Sequence, residues 1–370
     1  MGESFTKNDT LTVKGAAIIA MLFHHCYTSN TDLDAYAVSF APFAKETVVR
    51  MAAWSKVCVG IFVFLSAYGI TLSLKKLEEE KGGKRKYIAF QTERRIWRIL
   101  SGFWPVYLFV MAGSVIWARD SFRVYKGGVT RCIHMLLDFL GLADIMGTPC
   151  FIGTWWYLGL AILEVIALPV LYSFYRRYGA LIFIGISYFL PAMTGLKMTA
   201  FIRWLPAMAL GIWFADRNIL AGLKGYTIPH TKLGLTRVIE ACAAFVLLFA
   251  SYKLKFSAFG KHHLEIVDSV TPLLVIAAVY VFLSGIPMLT GFLQLLGKHS
   301  MNIFLFHNFI RARWFEGFSY SFRHWWLITL VLLLDCLLVS IVIEKAKELL
   351  RYERFTSWVE EKLRLMNVNS

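Results

Sequence analysis

The 370-residue chain is 58% hydrophobic and only 17% charged, with a mean hydropathy of +0.58, whereas a soluble domain carries about 25% charged residues. That balance excludes a soluble multidomain enzyme, a disordered chain, a fibre and a disulfide-stapled secreted domain. The net charge of +15 points to no nucleic acid, because Lys and Arg gather in the cytoplasmic loops of multi-spanning proteins.

Ten apolar segments near bilayer length follow one another. They cover about 12–29, 57–74, 99–118, 154–174, 179–195, 202–215, 237–253, 266–284, 300–312 and 325–343. The expected fold is an all-α integral membrane protein, a bundle of about ten transmembrane helices. One transmembrane domain is expected over 1–343 and a tail over 344–370. With alternating loops, 23 Lys and Arg fall on the side of the termini and 14 on the other, so both termini are expected to be cytoplasmic. Met1–Leu11 is polar and runs directly into a span, so no cleavable signal is expected. The six cysteines lack CxxC or metal-ligand spacing, and no metal site is expected. Four lie in apolar stretches as packing residues, while Cys132 and Cys150 share one external loop and can pair in an oxidising compartment.

The first span holds KGAAIIAMLFHHCY. Lys14 and His25 are eleven residues apart, about three helical turns, within roughly 20° on one face and ~16 Å along the axis. His24 points about 80° away from that line. Intramembrane titratable groups are costly and mark function by default. A neutral imidazole suits a low dielectric and can act as base or nucleophile; the plainer reading is an interhelical hydrogen bond.

The second span, VGIFVFLSAYGI, places Ser66, Ala67 and Gly69 where helices can approach closely. Loop 75–98 concentrates nine basic residues and enters the third span through Arg94, Arg95 and Arg98. Arg95 and Arg98, at i, i+3, share a face and suit phosphate, although taken alone they favour simple positive-inside anchoring of a helix end. Residues 119–153 form the longest external connection, without a strand pattern.

In the fourth span Trp155 and Trp156 read as interfacial belt residues rather than sugar stackers. Glu164, midway, needs a cation or a proton; it can orient the histidine or hold Arg95. In GKHSMNIFLFHN, Gly297 and Lys298 read as a loop-to-helix junction. Ser300, Asn302, His307 and Asn308 follow in an apolar span, with His307 either catalytic or an interhelical hydrogen bonder. Ser66, Asn302 and His307 are oxyanion-donor candidates by residue type. In the tail, Leu349, Tyr352, Phe355, Val359 and Leu363 recur near helical spacing, as in an amphipathic helix lying on the membrane interface. No GxSxG, zinc triad or P-loop occurs.

Taken in order, these motifs resemble the acyltransferase 3 family of integral membrane acyltransferases. Lys14 and His25 match its basic-x10-His first span, Phe62–Gly69 its phenylalanine-rich second span, and Arg95, Arg98 and Pro105 its third. Trp155–Leu158 and Gly297, Lys298, Ser300 and His307 match two later stretches. Lys14 stands where Arg is common and Ala67 where Gly is usual. There is no room for an extracellular esterase-like domain, so the chain resembles a stand-alone transmembrane member.

The resemblance implies transfer of an acyl group, usually acetyl, from cytoplasmic acyl-CoA to a hydroxyl of a cell-envelope saccharide or glycolipid in a bacterial plasma membrane. Acetyl-CoA would be a co-substrate, with no bound cofactor. The phosphates would fall to Lys14, Arg94, Arg95 and Arg98, and catalysis to His25, Glu164 and His307. His24, Ser66, Tyr68, Trp155, Trp156, Lys298, Ser300 and Asn302 would line the site. The competing reading is a transporter or flippase for a lipid-linked saccharide, but its matched broken spans are absent. A scaffold without chemistry would not carry so many costly intramembrane groups.

Overall fold

The computed structural model describes residues 5–29, 31–118, 124–125, 127–194, 200–224, 233–283 and 286–368. The chain begins with α1 (Lys7–Thr28), α2 (Lys45–Trp54), α3 (Val57–Lys81), α4 (Arg85–Gly113) and α5 (Val129–Phe139). It continues with α6 (Trp156–Thr194), α7 (Ala200–Arg217), α8 (Ile219–Lys224), α9 (Leu233–Phe256) and α10 (Ala258–His262). The last six are α11 (Leu264–Ala278), α12 (Pro287–Lys298), α13 (Ser300–Asn308), α14 (Glu316–Ser321), α15 (Trp325–Leu349) and α16 (Tyr352–Val368). Short π-helical turns extend α4, α11 and α13. The described residues contain one isolated β-bridge, Ser39 to His324, and no strand.

Among the described residues, six stretches are long and apolar enough to cross a membrane: Lys45–Lys81, Arg85–Ile116, Gly153–Met193, Gly234–Phe256, Leu264–Leu283 and Trp325–Leu349. The protein is an all-helical membrane protein. Gly153–Met193 covers two expected spans. Its 41 residues would reach about 60 Å as one helix, twice a bilayer core. Gly179, at φ 81°, breaks the run. The Phe174 and Phe183 rings then lie 5.9 Å apart, although nine residues of straight helix span ~13 Å. The chain therefore doubles back at this glycine, whose missing Cβ permits the left-handed turn.

The residues divide between two compact units. Unit 1 holds Met1–Thr28, Ala44–Lys75 and Leu168–Lys298; unit 2 holds Ser29–Phe43, Lys76–Ala167 and His299–Ser370. Small residues set the helix approaches in unit 1, as van der Waals packing in lipid requires. A Cβ on Gly15 of α1 would overlap the Leu293 carbonyl of α12, and one on Gly297 of α12 would overlap the Leu11 carbonyl of α1. Gln294 adds a 3.4 Å hydrogen bond to Thr12. Gly297 thus lies inside a helix that ends at Lys298, not in a loop before one; its role is to let two backbones touch. Ala67 occupies its position because Gly211 of α7 faces it, where a Cβ would come within 2.8 Å.

In unit 2, Pro105 interrupts the ladder of α4 and leaves the Ser101 carbonyl without its usual N–H donor. The Tyr352 hydroxyl of α16 donates to that oxygen at 3.0 Å. Trp155 is buried among Phe103, Tyr107, Phe151 and Phe309, and its indole N–H donates to the Leu305 carbonyl at 3.1 Å. It is a core residue, not the lipid-facing belt residue its position beside Trp156 suggests. The connection between α4 and α6 contains α5, which ends at a buried carboxylate: Asp138 accepts from the Tyr125 hydroxyl and from the Phe151 N–H at 2.7 Å. Cys26, Cys58 and Cys336 are buried as expected, Cys242 is exposed, and Cys132 and Cys150 are free thiols.

Candidate active site

In unit 1 the reading of α1 is testable by geometry. α1 is one uninterrupted helix from Lys7 to Thr28, so Lys14 and His25 do share a line on its surface. The two histidines next to one another have different environments. The His24 ring donates from Nδ1 to the Ala52 carbonyl of α2 at 2.8 Å, a partner that can only accept. Thr28 packs on the same ring, its hydroxyl 3.2 Å from Nδ1, and donates to the His24 carbonyl at 2.7 Å. His24 therefore ties α1 to α2. The His25 ring lies 5.0 Å from it, edge to face and half-buried. Ser66 is half-buried on α3, and Tyr68 is buried against Phe5 and Phe64. Lys298 is exposed at the C-terminal end of α12, where the helix dipole favours a cation.

In unit 2 the arginines of α4 have a carboxylate partner that sequence spacing does not reveal. Glu360 of α16 bridges Arg94 and Arg98: each Nε donates to one of its oxygens at 2.7 Å, and Arg98 Nη2 adds a 3.1 Å bond. Arg94 and Arg98, at i, i+4, thus share one carboxylate. Burial raises the Glu360 carboxyl, but the hydrogen bonds and charges of Arg98 and Arg94 outweigh it and hold the group below its ordinary range. Trp97 donates to the Thr356 carbonyl at 3.2 Å and meets Phe355 edge-on. Asn367 reaches Glu93 at 2.7 Å. The tail helix therefore docks on α4, with Tyr352, Val359 and Leu363 half-buried and Leu349 and Phe355 exposed.

The α13 residues also separate by role. Asn302 donates to Ser340 Oγ at 3.0 Å and to Glu344 Oε1 at 2.8 Å, both on α15. Its two amide protons are committed to a helix–helix network that includes His299, so it is not an oxyanion donor. Ser300 is half-buried at the first turn of α13. His307 is fully buried and its Nδ1–H donates to the Phe304 carbonyl at 2.7 Å, which leaves Nε2 as the acceptor nitrogen of the neutral ring. Glu164 is fully buried on α6, and Trp156, at the start of the same helix, is half-buried.

Sequence reasoning missed two charged groupings. Around Asp216 of unit 1 stand Lys75, Arg176 and Arg217, with Tyr175 donating at 2.7 Å. Around Asp268 stand Arg203 and Lys255. The signal was the scatter of single charges at span ends, which only tertiary structure gathers.

A family model described as an acyltransferase domain (Acyl_transf_3) matches residues 12–345. No curated protein and no solved structure matches the chain.

Proposed function

Because the chain belongs to the acyltransferase 3 family and is a membrane acyltransferase, we propose that it moves an acetyl group from cytoplasmic acyl-CoA to a hydroxyl of a cell-envelope saccharide or glycolipid. The proposed setting is a bacterial plasma membrane, with both termini cytoplasmic and the exposed apolar residues of α16 against the bilayer surface. The observation that carries the reading is on α1: a lysine and a histidine three turns apart on one line, beside a second histidine already engaged by Ala52.

His25 is the reacting ring in this account. As a base it takes the acceptor hydroxyl proton while the oxygen attacks the thioester carbonyl, and the CoA sulfur leaves with a proton. As a nucleophile it first takes the acyl group on a ring nitrogen, and the acceptor hydroxyl then releases it. Lys14, ~16 Å away along the helix, faces the donor's polar end, a span comparable to an extended pantetheine arm. Arg94, Arg95 and Arg98 recognise donor phosphates.

The test is incubation of purified protein with labelled acetyl-CoA. His25→Ala is expected to abolish transfer with insertion intact, while His24→Gln keeps most of it, losing about 1 kcal/mol of stability with its hydrogen bond. Full activity in His25→Ala removes His25 from the mechanism. Protein-bound label that vanishes in that variant selects the covalent route.

A further inference from the structure

Lys56 at the start of α3, Arg203 at the start of α7, Lys255 at the end of α9 and Asp268 near the start of α11 come from four helices. Arg203 clasps Asp268 through Nε at 3.1 Å and through Nη2. Lys255 Nζ stands 3.9 Å from the other carboxylate oxygen. Lys56 interacts electrostatically with Arg203, Asp268 and Lys255. Arg203 and Lys255 thus share one carboxylate, and Lys56 adds a third positive charge to the same field. Glu265, one turn away on α11, is engaged by His263 at 3.1 Å; counted as well, it still leaves the group positive.

Burial separates this group from the one around Asp216. There the lysine and both arginines are well exposed and water screens them. Here the side chains of Asp268, Lys255 and Arg203 are only 3%, 12% and 27% exposed. Excess positive charge withdrawn from water is costly unless an anion compensates it. The group is also firmly built. Pro272 removes the N–H that would bond the Asp268 carbonyl, and that oxygen would lie only 2.6 Å from a Cβ on Gly60, so α3 and α11 are in backbone contact there. Trp204 is buried under Arg203, 5.6 Å from its guanidinium. The cluster adjoins the histidine pair, since His24 interacts electrostatically with Lys56 and Lys255.

The geometry points to an oxyanion-binding site at Lys56, Arg203 and Lys255 that receives the carboxylate or phosphate of an acidic saccharide acceptor beside His25. That an anion binds stands by itself; that it belongs to the acceptor rests on the acyltransferase reading.

The test uses the whole protein in phosphatidylcholine nanodiscs without acyl-CoA. Glucuronate, inorganic phosphate, glucose and chloride at matched ionic strength are titrated against tryptophan fluorescence and Tm. Saturable responses to glucuronate and phosphate are expected, with none to glucose or chloride. They should weaken about tenfold in Lys56→Gln and Lys255→Gln, the loss of one charge-assisted contact, persist in Lys255→Arg, and be unchanged in Lys76→Gln. No saturable response, or one that both glutamine variants retain, overturns the site. In a parallel arm with part of the phosphatidylcholine replaced by phosphatidylglycerol, a response to that lipid but to neither soluble anion overturns the acceptor assignment by making the anion a lipid headgroup. Because no acyl transfer is read, intact anion binding in a protein that transfers nothing would fail the catalytic reading alone.

Discussion

Replacing Asp138 by asparagine tests whether burial of one carboxylate governs the connection between α4 and α6. Burial raises its carboxyl from 3.8 to about 6, against the opposing hydrogen bonds from Tyr125 and Phe151. The folded state therefore binds the proton more tightly than the unfolded chain. The stability this gives is complete below about pH 3.8 and is lost as pH rises through about 6. A shift of two pKa units corresponds to about 3 kcal/mol, on the order of a hundredfold in a local opening constant. Hydrogen exchange of the α5 amides, corrected for intrinsic rate, reads that opening directly. Wild-type protection should fall on this scale between pH 4 and 7, and Asp138→Asn, which can still meet both partners, should flatten the profile. Parallel profiles in the two proteins would refute the assignment.

Two further perturbations address the helices that carry the site. Gly297→Val drives a branched side chain into the Leu11 carbonyl and should cost about 3 kcal/mol or more, read as loss of detergent-stable monodisperse protein; a normal yield and Tm would contradict the backbone contact. Glu360→Gln removes the carboxylate that engages Arg94 and Arg98. If those arginines serve the donor, the apparent KM for acyl-CoA should fall roughly two- to fivefold, the scale of a partly exposed ion pair. An unchanged KM would return them to holding the tail.

The apolar runs that became α3, α4, α9, α11 and α15 are legible from residue type alone, because a bilayer selects length and hydrophobicity before any tertiary contact forms. The His25 line on α1 is legible for a related reason: it needs only helical periodicity within one segment. α5 carries an apolar face of its own, Val129, Ile133 and Leu136 at i, i+4 and i+7, but that face points outward and the one buried residue among its described positions is Asp138, so the periodicity gives no sign of the carboxylate that anchors it. The commitments of Asn302 and Trp155 depend on partners 38 and 150 residues away. The Asp268 group gathers residues from positions 56 to 268, each of which alone reads as a cation or acid near a span end.

The reciprocal glycine contact between α1 and α12 has a consequence for biosynthesis. Gly15 finds the Leu293 carbonyl about 280 residues further along the chain, so at 5–20 residues per second on the ribosome the first helix waits on the order of tens of seconds for its mate. Throughout that interval the groove around Gly15 must be filled by lipid or by a chaperone, which makes it the natural point of attack for quality control on an incompletely assembled chain.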